Sequence, residues 1–258
     1  MFINFSYILG YSKQIYKRAG LDFVNIAWGK ANDIINNALT QDKNTPIPDD
    51  YVGSFDYVDS FTYNTNTSNE SSLWFHENDR KNNEKELGKK AEPNEYNIVI
   101  VLESPHKNEY NTDFRHPAIG PTGNNLKLYF YSLLGKLNGT IKNSTKCHVY
   151  LMNAIQYQCS LGYHTSIFRT EIFNSMWKHH KKDEDFLDRL KDFYPNIIIN
   201  LCTKTDELQD IVQKKIDEFV NNNNNKTISL YRGTHPSSWK LKSQNRYIVD
   251  TKGNSYNF

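Results

Sequence analysis

A carboxylate, a carboxamide and an imidazole each follow a short apolar run in this chain. Glu103 comes directly after N-I-V-I-V-L, Asn153 closes V-Y-L-M-N, and His235 lies shortly after I-S-L-Y. A carboxylate can orient or deprotonate water, and an imidazole can donate a hydrogen bond to a group that gains negative charge. A carboxamide offers donor and acceptor together, which suits reading a polar edge. Glu103 opens E-S-P-H, where Pro105 forbids a continuing strand. Further on comes H-P-A-I-G-P-T-G-N-N-L-K-L-Y-F, His116 to Phe130. Its glycines and prolines predict a shaped loop feeding a helix that begins near Asn124. Each residue also has a plain structural reading: Glu103 as a capping or ion-paired acid, Asn153 and His235 as turn residues, Trp239 as core.

The elements that must position these groups have a regular rhythm beyond residue 96. Four β-branched runs, Asn97–Leu102, Cys147–Met152, Asn196–Leu201 and Thr227–Tyr231, alternate with helical patterns at Leu126–Asn138, Arg169–Tyr194 and Thr205–Asn221. Strand–helix alternation predicts an α/β fold: a three-layer α/β/α sandwich around a central, mainly parallel four-stranded sheet. In a parallel sheet the carboxyl ends share one edge, where such folds bind ligands. Glu103, Asn153 and His235 then converge without further assumption.

Residues 1–95 read as an N-terminal extension, with residues 96–258 forming the α/β domain. Ser12–Leu39 has helical spacing broken near Gly20, Thr45–Asp50 is a proline-marked loop, Ser54–Asn69 is a hairpin or a loop, and Glu77–Glu95 is a charged connector. Nothing in this third specifies a chemistry.

Composition narrows the class. The 258 residues are 38% hydrophobic with a mean hydropathy of −0.73, low but compatible with folding given 17 Tyr and 14 Phe. A net charge of +2 does not announce a nucleic-acid binder, yet Lys226 to Phe258 holds six basic residues against the single acid Asp250. No run approaches the roughly 18 apolar residues of a membrane span, and no signal peptide is evident, so a cytoplasmic protein without a membrane partner is expected. Cys147, Cys159 and Cys202 form neither a disulfide framework nor a C-x-x-C pair, and the histidines show no ligand spacing, so neither metal nor cofactor is expected. His179-His180 reads as a solvated helix face.

Four motifs now stand in order: Leu102-Glu103-Ser104-Pro105-His106, then His116-Pro117-Ala118-Ile119-Gly120-Pro121-Thr122-Gly123-Asn124-Asn125-Leu126, then V-Y-L-M-N ending at Asn153, then His235-Pro236-Ser237. From about Asn97 to Arg246 the chain resembles the uracil-DNA glycosylase superfamily, closest to the branches reading G-E-A-P-G and G-x-P-F-V-G-x-A-G-x-x-L. The resemblance implies a DNA partner and N-glycosidic cleavage on a flipped nucleotide. Glu103 would handle water and the sugar's positive charge, and His235 would stabilise the departing base. Asn153, with Ser104, Pro105 and Ala118, would bind the base. Backbone around Gly120, Thr122, Gly123 and Asn124 would hold a phosphate. Ser237, Ser238, Lys240, Lys242 and Arg246 would grip the DNA, and Trp239 would fill the gap left by the flipped base.

The departures carry information too. Leu102 and His106 replace the two motif glycines. The iron–sulfur cluster of the related branch is not expected, because its four-cysteine spacing is missing. Ala118 stands where a stacking phenylalanine is found, leaving stacking to Tyr110, Phe114 or Tyr157 or enlarging the pocket. A pyrimidine bulkier than uracil is the expected base, for example a glucosylated hydroxymethyl base of phage DNA, which suggests antiviral defence. Two other classes compete: a nucleoside or nucleotide N-glycoside hydrolase, and a catalytically silent DNA- or nucleotide-binding module.

Overall fold

The computed structural model describes residues 46–57, 73–75, 77–86, 88–110, 115–137, 139–159, 169–179, 181–222, 227–240 and 246–258. The predicted helices in Ser12–Leu39, most of Ser54–Asn69, Phe114, His164, His180 and Lys242 lie outside the described residues.

The fold is mixed α/β around one seven-stranded sheet. Its strands are β1 (Asp50–Asp56), β2 (Tyr96–Leu102), β3 (Lys146–Asn153), β4 (Pro195–Asn200), β5 (Ser229–Gly233), β6 (Tyr247–Asp250) and β7 (Ser255–Asn257), in the order β1-β3-β2-β4-β5-β6-β7. The four predicted runs are the parallel centre of the sheet. The expected count of four is corrected to seven, because β1, β6 and β7 add antiparallel edges. The strand β1 comes from the stretch read as an extension, so part of residues 1–95 belongs to the same sheet as the rest.

Five helices accompany the sheet among the described residues: α1 (Glu77–Asn82), α2 (Pro121–Leu134), α3 (Arg169–His179), α4 (Lys182–Asp192) and α5 (Leu208–Asn222). The helix expected near Asn124 starts earlier, with Pro121 in the first turn, where a missing N–H costs nothing. The Arg169–Tyr194 pattern is two helices, broken at Lys181, whose φ of 52° is left-handed.

Strand periodicity sorts the core. Ile98, Ile100 and Leu102 of β2 join Leu126, Phe130 and Leu133 of α2 in one buried cluster. Val99 and Val101 join Phe173 and Trp177 of α3, Phe186 of α4 and Val212 of α5 in another. Alternate residues of one strand face opposite ways, so a β-branched run buried on both sides pins the sheet between two apolar clusters.

Candidate functional site

The register and order of the central strands set which groups share one end of the sheet. Leu102, the last residue of β2, pairs with Asn153, the last of β3. Glu103 therefore leaves β2 one residue beyond that pair, on the strand next to the one that Asn153 ends. The ladder runs on past the strand ends, with Ala154 N–H donating to Leu102 O at 2.7 Å and Ile155 N–H to Glu103 O at 3.1 Å. On the other side of β2 lies β4, and beyond it β5, which leads through Thr234 to His235. Two strand spacings separate Glu103 from His235, roughly 10 Å of backbone.

Arg169, the first residue of α3, works across that gap. Its Nε lies 3.3 Å from Glu103 Oε1, and its charge also bears on His235. The Glu103 carboxylate is buried and in turn raises the thiols of Cys159 and Cys202, after burial itself. Sequence reading missed Arg169; a lone arginine opening a polar helix carries no local signal.

His235 is half-buried, and burial followed by the Arg169 charge holds its pKa down at about 4. The ring is thus neutral at physiological pH. Ser237 N–H donates to Nδ1 at 3.3 Å, and the Ser237 hydroxyl lies 2.8 Å from the same atom. With Nδ1 accepting, the neutral ring carries its proton on Nε2. Two further side chains set the loop. Asn125 of α2 donates to Pro236 O at 2.7 Å, and Gln209 of α5 donates to the carbonyls of Asn200, Cys202 and Gly233 at 3.2, 3.0 and 2.6 Å.

The Asn153 side chain is buried, and its Nδ2 has no hydrogen-bond partner among the described residues. A buried amide nitrogen left alone costs free energy, which a ligand acceptor would recover. Of the neighbouring motif residues, Pro105 is buried and Ser104 is half-buried, its side chain bonded to Cys159.

The loop before α2 is held from two sides. Buried Arg80 of α1 donates to Pro117 O at 2.8 Å and to Trp74 O at 2.7 Å. The Glu109 carboxyl takes backbone hydrogen bonds from His106, Ala118 and Ile119; burial outweighs them and pushes its pKa up to about 8. Ala118 itself is 2% exposed, within the α2-side core, at a φ of 64°. The methyl packs with Leu126 and Phe130 in that cluster. Gly123 has no room for a Cβ, which would lie 2.2 Å from Ala118 O and 2.5 Å from Phe75 O. Gly120 caps α2 at a φ of 96° and is exposed, while Thr122 and Asn124 are half-buried.

Two of the residues expected to contact DNA have other employment. Trp239 is fully buried, its indole N–H donating to Thr234 O at 3.0 Å and its ring packing edge-on against Tyr129 and Phe258, so it is not placed as a wedge. The Arg246 guanidinium donates to Phe258 O at 2.9 Å and to Trp239 O at 3.4 Å and lies over the Tyr129 ring, so it stitches the C-terminus down. Ser238 Oγ donates to His235 O at 2.8 Å and shapes the turn. Ser237 and Lys240 are exposed on the same loop.

A depression of about 590 Å³ lies at the opposite edge, where β2, β3 and β4 begin, lined by Lys89, Glu95, Tyr96, Lys146, His148 and Asn196. It is remote from the convergent carboxyl ends, and we assign it no part in the chemistry. Among the described residues no group of three His, Cys, Asp or Glu side chains is placed to hold a metal ion, and no helix is long and apolar enough to cross a membrane.

No protein-family model matches this chain, and neither curated proteins nor solved structures give a match. The functional reading therefore stands on the residues and their geometry.

Proposed function

We propose that this protein is a DNA glycosylase that hydrolyses the N-glycosidic bond of a flipped pyrimidine nucleotide. The observation that carries the reading is one sheet edge bearing a buried carboxylate, a buried carboxamide with an unpartnered nitrogen, and an imidazole held neutral. Water attacks the anomeric carbon as the bond to the base nitrogen breaks. Glu103 stabilises the positive charge on the sugar and takes the water proton. The base leaves with the bonding pair, and the Nε2–H of His235 donates to its carbonyl. A neutral donor suits an anionic leaving group because it keeps its proton. Asn153 reads the pyrimidine edge.

The parallel strand order β3-β2-β4-β5, with an apolar cluster on each face, supports a three-layer α/β/α domain of the kind the resemblance implies. Three buried free cysteines fit a reducing cytoplasm. Position 118 carries a methyl where the resembled motif carries a ring, so a pyrimidine larger than uracil is the favoured substrate. Glucosylated hydroxymethylcytosine of phage DNA is an example, with antiviral defence as the setting.

The test is abasic-site formation on duplexes containing unmodified cytosine, uracil or glucosylated hydroxymethylcytosine, alongside the free nucleosides. Glu103→Gln should lower base release by about 100- to 1000-fold while leaving DNA affinity within a few-fold of wild type. Release from nucleosides alone would make the protein a nucleoside hydrolase, and binding without release would make it a silent module.

A further inference from the structure

Two consecutive aspartates at the entrance to β1 reach the two pieces of the proposed base-reading site. The Asp49 carboxylate accepts Arg189 Nη1 on both oxygens, at 2.8 and 2.7 Å, and also accepts the backbone N–H of Asn153. The same guanidinium turns its Nη2 onto the carbonyls of Asn153 and Ala154, each at 3.1 Å. Both backbone polar groups of Asn153 are thereby committed to a single ion pair. Meanwhile its side-chain Nδ2 is left buried and unpartnered. Asp50 serves the other piece: its Oδ2 lies 3.4 Å from Arg80 Nη1, which holds Pro117 O, and 3.2 Å from His116 Nδ1.

A turn asparagine that merely ends a strand would spend its amide on nearby backbone. Here the backbone is fixed from outside and the amide tip is spared. A pair of this kind is also a poor way to gain stability alone, since apolar residues of similar volume commonly serve as well. Its geometry is specific to one residue. We infer that Asp49 and Arg189 are positioning residues that hold the Asn153 carboxamide in place for base recognition, so that the segment preceding β1 is a working part of the base-reading site. This rests on the glycosylase reading of Asn153.

Action through Asn153 is separable from general support of the fold by a double-mutant cycle. Base release is measured on the duplex that wild type cuts best among the uracil and glucosylated hydroxymethylcytosine substrates. Asp49→Asn and Arg189→Lys are each made in wild type and in Asn153→Ala. In wild type, Asp49→Asn should lower kcat/KM by about tenfold or more, as expected when a recognition group is misplaced. In the Asn153→Ala background the same change should cost under about threefold, the coupling signature. Asp49→Glu, which keeps the carboxylate, should restore part of the loss.

Arg189→Lys retains the charge but loses the fork that reaches both carbonyls, and it should repeat the pattern if Asp49→Asn fails to fold. Equal losses in both backgrounds would overturn the positioning role and leave the glycosylase reading standing. A wild type that releases no base from any duplex would overturn the reading, and the inference with it.

Discussion

His235 is where the charge state of a single residue decides the chemistry. Its pKa is held down at about 4, first by burial and then by the Arg169 charge. The folded protein therefore binds fewer protons here than the unfolded chain between pH 4 and 6.5. The resulting stability is fully present above 6.5 and is lost as pH falls through 4. Base release should stay level through 6.5, where an ordinary histidine would protonate, and fall only toward 4. Arg169→Gln removes the second cause, so the His235 ring followed by NMR should titrate at higher pH. An unmoved titration would show that burial alone sets it. The strand-end positions of Glu103, Asn153 and His235 were legible in the sequence because each closes an apolar run or follows one within a short turn. Arg169 was not, since it meets Glu103 only through the packing of α3.

At the scale of elements, α2 and the loop before it are tied by Gly123. Any side chain there would run into two carbonyl oxygens, so Gly123→Ala should destabilise the fold by about 1–3 kcal/mol in chemical denaturation, the usual range for overpacking. Thr122→Ala, one residue earlier and half-buried, is the control and should change little. The left-handed backbone and core packing of Ala118 were not readable from its motif. The central strands were readable from β-branched runs. The sheet's outer strands were not: Tyr247–Asp250 and Ser255–Asn257 are short and mixed in polarity, and periodicity gives no hold on them. Asp49 and Arg189 were equally silent, lying 140 residues apart in a proline-marked segment and a charged helix.

Across the whole molecule, the basic excess of the C-terminal segment divides into two uses. Arg246 closes the chain end onto Trp239 and Tyr129, whereas Lys240 is exposed beside the His235 turn. Lys240→Ala should flatten the salt dependence of DNA binding by about one unit of slope, the value for one phosphate contact. Arg246→Ala should lower the melting temperature and leave that slope unchanged. A slope changed by Arg246→Ala and unmoved by Lys240→Ala would reverse the assignment. The outer strands have a further consequence, for how copies of the chain meet one another. A sheet with parallel centre strands exposes a hydrogen-bonding row at each flank, and a long flat flank recruits other chains into mixed sheets. Here β1 is bent by a bulge between Tyr51 and Gly53, and Trp74 N–H already occupies Val52 O on it at 2.7 Å. At the far flank, β7 spans only Ser255–Asn257. Both flanks are thus spoiled as templates, which guards a tyrosine- and phenylalanine-rich chain against joining its neighbours edge to edge.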